Sequence, residues 1–246
     1  MIGKQKENIF RHPTQFWSEE RKMTGFLAAL IFDTLTLYPL VSAVSSSVGI
    51  QIINILVTVA VFIFGLFALT HHKITRMVFE GFLIIVISAH SARFVFGAQW
   101  LLGWDLLLSL LLVIAYLSFI LRYVYKKGPV TRQRIEGAIA AYLLITMAFA
   151  IGYTLVSFLI PGAFRFPDKP PNIGDPRFGY IFHYFSISTI TTLGYGDIVP
   201  VHPLSRTLTT IEALVGQLYP AILLARLVSL SVLHSQRTDE QKTIKD

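Results

Sequence analysis

Cysteine is absent from the 246 residues, which excludes a disulfide framework and any cysteine-based metal site. Charge is almost as scarce. Only 14% of residues are charged, against about a quarter in an ordinary soluble domain, while 54% are hydrophobic and the mean hydropathy is +0.62. So little charge cannot keep such a chain in water, and lipid is the solvent that fits it. Acidic residues are the scarcer sign, 14 against 21 Lys and Arg. In a soluble protein that excess of positive charge would suggest nucleic acid; here the question is which side of a bilayer it occupies. A cleaved leader does not explain the pattern, because the apolar windows are too many and start too late.

What is present is a series of apolar windows, each near the 20 residues that a span requires. They cover roughly Thr24–Val44, Ile50–Thr70, Met77–Gly97, Trp100–Leu121, Ile135–Ile160 and Pro203–Leu233. Six spans put both ends on one side. With that side cytoplasmic, the inner segments hold fifteen Lys and Arg and the outer loops three, Arg165, Lys169 and Arg177. That asymmetry obeys the positive-inside rule in one orientation only. A multi-pass protein of the cell membrane with cytoplasmic termini is therefore expected, and nucleic acid is not needed as a partner. Five regions follow: a cytoplasmic or interfacial N-terminus over 1–23, a four-helix membrane domain over 24–125, a cytoplasmic linker over 126–134, a helix–loop–helix unit over 135–233, and a cytoplasmic tail over 234–246.

The last unit is the informative one. "PGAFRFPDKPPNIGDPRFG", Pro161 to Gly179, carries five of the eleven prolines and reads as an irregular, wet loop. "YIFHYFSISTIT", Tyr180 to Thr191, is too short to cross a bilayer but forms about three helical turns. It leads into "TTLGYGDIVP", Thr191 to Pro200. Non-helical backbone at membrane depth persists only where protein buries it or where it lines a water-filled path. The expected fold is all-α, six membrane helices with a re-entrant half-helix and loop. The re-entrant unit occurs once, so several chains must surround one axis.

"TTLGYGD" resembles the selectivity filter of potassium channels, T-V/I-G-Y-G-D, with Leu193 in place of valine or isoleucine. The resemblance covers the last ~110 residues; the first four spans resemble the six-span channel superfamily only in number and topology. It implies a homotetramer in a lipid bilayer that passes K+ as the transported ion, without enzymatic activity or cofactor. The physical requirement is independent of the family. A potassium ion sheds its water only if oxygens replace it, and backbone carbonyls aimed at an axis do so. The expected ion sites are the carbonyls of Thr192, Leu193, Gly194 and Tyr195 with the Thr192 hydroxyl, and Gly194 and Gly196 permit the dihedrals required.

Around them, Thr191 joins the filter to the half-helix and Asp197 stands at the outer mouth. Tyr195 is expected to pack away from the axis, and the family would supply Tyr184 and Phe185 as part of an aromatic cuff. Some relatives pair the aspartate with a carboxylate in the half-helix; Ser188 occupies that place here. Glu212 lies deep in the last span and is expected to meet Ser or Thr hydroxyls behind the filter. Gly216 matches the family's inner-helix hinge. Pro220 follows, and the spacing by four puts Gly216, Pro220, Leu224 and Val228 on one face, expected to line the pore.

The fourth span has no basic residue between Asp105 and Arg122, so conventional voltage sensing is not expected. Arg93 is placed to pair with Asp105, and Asp33 or His90 are the residues through which pH would act. Two other classes compete. One is a potassium uptake transporter component, although such systems repeat the unit within one chain. The other is a regulatory subunit that retains the motif without conducting.

Overall fold

The computed structural model describes residues 13–34, 56–57, 59–65, 73–96, 99–126, 130–173 and 175–243. Its helices are α1 (Pro13–Phe32), α2 (Lys73–Phe96), α3 (Gln99–Tyr125), α4 (Arg132–Leu159), α5 (Pro176–Ile190) and α6 (Pro203–Thr243). Residues 59–65 are also helical. Among the described residues, four stretches are long and apolar enough to cross a membrane: Lys73–Arg93, Trp100–Tyr125, Arg132–Leu159 and Pro203–Ser229. Most of the first two expected spans lies outside the described residues; of the first, Met23–Phe32 is seen as a short apolar helix.

Two packing centres share α4. Met23, Phe26 and Leu30 recur at helical spacing on α1 and bury against Leu112, Tyr116 and Ile120 of α3 and Ala138, Ala141 and Leu144 of α4. The alanines let helices approach closely, and an added Cβ at Gly137 would already lie 3.3 Å from Val124. The C-terminal half of α4 instead supplies Tyr153 and Val156 to a second, aromatic centre with Phe164, Phe178, Phe182 and Phe185. α1 and α3 therefore pack on α4 of their own chain.

Polar contacts pin the front helices at both ends. Thr24 Oγ1 donates to Glu136 at 3.0 Å, joining α1 to the start of α4. Toward the other face, Asp105 is buried and lies 3.1 Å from Arg93 Nε, as the sequence reading anticipated; His90 Nδ1 is also 3.1 Å away. A single carboxylate thus ties two basic residues of α2 to α3.

Several boundaries depart from expectation. The half-helix begins at Pro176, inside the segment expected to be irregular, because Asp175 caps it and Pro176 fits the first turn. The fold is not purely helical: Phe164 and Arg165 pair antiparallel with Pro200 and Val199 in a two-residue ladder. The last helix continues past Leu233 to Thr243, and α4 starts at Arg132 within the expected linker.

Removal of the shared carboxylate should loosen the front helices. Asp105→Ala is expected to cost about 2–3 kcal/mol, less than a fully dry pair because Arg93 and His90 are partly exposed, read from denaturant unfolding of the purified protein.

Candidate functional site

The site is built from the half-helix outward. Asp175 Oδ1 accepts from the Arg177 amide at 2.9 Å, and the Arg177 guanidinium donates to the same carboxylate at 2.6 and 3.1 Å. Those hydrogen bonds hold the Asp175 carboxyl below its ordinary range. Phe178, Phe182 and Phe185 recur at helical spacing and fill the aromatic centre, with Phe164 and Phe182 at 4.7 Å and edge-to-face. The half-helix is thus keyed to α4 along one stripe.

Its C-terminal end organises the loop that follows. The amides of Leu193 and Gly194 both donate to Ser188 O, at 2.9 and 3.1 Å, and the Thr192 amide donates to Thr189 O at 2.9 Å. The Tyr195 amide faces Ser188 Oγ at 3.4 Å. In a trans peptide the N–H and C=O point oppositely, and among the described residues no peptide bond is cis. Four successive N–H groups drawn to the half-helix therefore turn the carbonyls of Thr191, Thr192, Leu193 and Gly194 away from it. The backbone achieves this by placing every second residue in the left-handed region: Thr192 at φ 60°, Gly194 at 56° and Gly196 at 76°. For Thr192, which has a Cβ, that conformation costs about 1–2 kcal/mol. Residues 191–197 are all exposed in the single chain.

The outer end is fixed separately. Ile198 is buried in the aromatic centre, and the Ser205 hydroxyl and Val201 amide both reach Ala163 O, at 2.8 and 3.0 Å. Behind the half-helix, Glu212 is wholly buried. Tyr153 donates to its Oε2 at 2.5 Å, and Ser186 Oγ is in hydrogen-bond contact with its Oε1.

Residues 175–232 match the family model described as ion channel, a stretch that contains the half-helix, the loop and the start of α6. The match is confined to this segment of the chain. The chain is also similar to the inward rectifier potassium channel Kirbac3.1 of Paramagnetospirillum magnetotacticum, 36% identical over 81 residues. That similarity takes in 33% of this chain and 24% of the relative, so the chain spans about a quarter of the relative's length. No solved structure matches significantly.

Within the matched segment, the structure separates residues that the sequence reading grouped. Tyr195 stacks on Tyr184, ring centres 6.0 Å apart and 12° between planes. Phe185 is not part of that stack. It is turned to the opposite side of the half-helix, 5.2 Å from Tyr153, because its place in the phenylalanine stripe faces α4. Gly216 is likewise separated from Pro220, Leu224 and Val228. Those three are exposed, whereas Gly216 is buried against Ile190, where an added Cβ would lie 2.1 Å from the carbonyl oxygen. The glycine is required by close approach, and α6 runs through both Gly216 and Pro220 without interruption. Asp197 accepts from the Ile198 amide at 3.0 Å, and Ser188 serves the loop amides. Arg226 donates to Tyr125 O and lies 4.4 Å over the Tyr125 ring, linking α6 to the end of α3.

Sequence reasoning missed the tyrosines of α4. Tyr142 donates to Ile190 O at 3.1 Å and stacks on Tyr219, while Tyr153 reaches Glu212. Their separation of about three helical turns on one face of an apolar span was an available signal.

Alanine at Gly216 should unseat the half-helix. Gly216→Ala is expected to lower unfolding stability by about 2–3 kcal/mol through overpacking, whereas Pro220→Ala should leave it nearly unchanged. Equal effects of the two would return Gly216 to a purely hinge-like role.

Proposed function

We propose that the chain is a potassium-selective channel subunit, and that four copies set their Thr192–Tyr195 segments around one axis. The observation that carries this reading is the run of loop amides directed into the half-helix, which leaves successive carbonyls directed to the open side. Such a row from each of several chains is the oxygen cage that a dehydrated cation requires. The C-terminal end of the half-helix brings partial negative charge to the inner end of the row and favours a cation there.

The family match and the potassium channel relative support the same conclusion. Thr192, Leu193 and Gly194, whose carbonyls the loop amides turn away from the half-helix, hold the ion together with Tyr195, which the resemblance to the potassium-channel motif adds; Tyr184, Ser188 and Glu212 brace the loop; and the exposed Pro220, Leu224 and Val228 face the conduction path. Conduction is passive and needs no cofactor. The front helices sit against the outer helix of their own subunit and lack the positive ladder that moves in a field.

Purified protein in liposomes tests the reading. Potassium efflux is expected to exceed sodium efflux at least about tenfold, roughly 1.4 kcal/mol of discrimination, and the protein should run as a tetramer. Equal sodium flux, or a monomer that conducts, would refute it. In planar bilayers the conductance should vary only shallowly with voltage, since one charge crossing 100 mV is worth about 2.3 kcal/mol and α3 carries none between Asp105 and Arg122. A steep curve would show a sensor elsewhere.

A further inference from the structure

Three oxygen–oxygen contacts meet behind the half-helix, and their protons can be counted. Tyr153 OH lies 2.5 Å from Glu212 Oε2, Ser186 Oγ touches Glu212 Oε1, and Ser186 Oγ lies 2.8 Å from Thr146 O. Each contact needs one hydrogen between its oxygens, since two bare oxygens at that distance repel. The Tyr153 hydroxyl supplies one and the Ser186 hydroxyl a second. Thr146 O is a carbonyl and supplies none. A third hydrogen is missing as long as the carboxyl is ionised.

We propose that Glu212 carries that hydrogen, on Oε1, and joins the inner helix to the outer helix and the half-helix as a neutral acid. The chain of donors then closes: Tyr153 donates to Oε2, Glu212 donates from Oε1 to Ser186 Oγ, and Ser186 donates to Thr146 O. All five oxygens are satisfied in one arrangement. An ionised carboxylate would claim both hydroxyls and leave Ser186 and Thr146 in unscreened contact.

The surroundings agree. Glu212 is 0% exposed within one subunit, so a neighbouring copy cannot reach it with a cation. Among the described residues no ion pair involves it; its polar partners are the two hydroxyls. Among the described residues, the titratable groups that interact with it are Tyr153 and Tyr142 of α4, phenols that are neutral at pH 7, and α5 contributes the Ser186 hydroxyl. A buried carboxylate with no cation has nothing to replace its water. The neutral form also keeps a full negative charge from standing behind the filter, where it would compete with the carbonyls for the ion. Glu212 is accordingly a positioning residue that acts on the loop through Ser186, two residues before the Ser188 that receives the loop amides.

Infrared difference spectroscopy of the full-length protein in lipid at pH 7 is the test. A protonated-carboxyl band is expected in the wild type and should vanish in Glu212→Gln. In Ser186→Ala, which keeps Glu212 but removes the acceptor of its proton, the band should shift in frequency. A wild-type minus Glu212→Gln spectrum containing only ionised carboxylate would overturn the proposal. Thermal unfolding gives a second reading. The amide of Glu212→Gln can donate to Ser186 and accept from Tyr153 as the neutral acid does, so its midpoint should stay within about 2 °C of wild type. Glu212→Ala should fall by at least about 5 °C. A glutamine variant as damaged as the alanine variant would count against a neutral acid. Both readouts report on the folded subunit and are independent of which ion passes.

Discussion

A helix leaves its last carbonyls without partners inside the helix, and where water is excluded only the protein can satisfy them. The end of α5 meets that constraint with its own loop. Ser188 O takes two loop amides, Thr189 O takes a third, and Ile190 O takes the hydroxyl of Tyr142. The same bonds that close the half-helix decide which way the loop carbonyls turn. Helix termination and the direction of the loop carbonyls are thus one arrangement of hydrogen bonds seen from two sides, and neither can be altered without the other.

Because the loop hangs from the half-helix, the position of the half-helix becomes the position of the site. Three supports hold it. The phenylalanine stripe keys its length to Tyr153 and Phe164. Gly216 admits the backbone of α6 against Ile190, a contact that any side chain at that position would block. Glu212 joins Ser186 to Tyr153 across three helices. Each support involves α4 or α6, so the end of α5 is tied to both helices. The contact between Arg226 and Tyr125 extends the same chain to α3. Contacts therefore run from the end of α3 through α6 to the half-helix.

The sequence disclosed the parts whose signal is chemical and local. "TTLGYGD" gave the loop, its glycines and the exposed tyrosine, and Asp105 and Arg93 could be paired because few charges exist in those spans and depth alone matched them. Glu212 stood out for the same reason. What stayed hidden was direction. Hydropathy is uniform along an apolar span, so it does not say which side of α5 meets α4, and Phe185 was assigned to the tyrosine side. Gly216 in a helix reads equally as a bend or as a contact, and only the 2.1 Å approach to Ile190 decides between them. The early start of the half-helix was legible in principle, since Asp-Pro is a capping signal, but the density of prolines around it argued for loop.

Thr192 shows how tightly the parts are coupled. A residue with a Cβ is held at φ 60°, a conformation that glycine would adopt at no cost. Glycine there would relax the backbone but would forfeit the hydroxyl expected at the inner end of the ion row. The strain is sustained because the neighbouring amides are bound to Ser188 and Thr189, which leaves the peptide plane no alternative direction. Local energy is given up where the proposed ion row needs an oxygen, and the hydrogen bonds that close the half-helix are what make that tolerable.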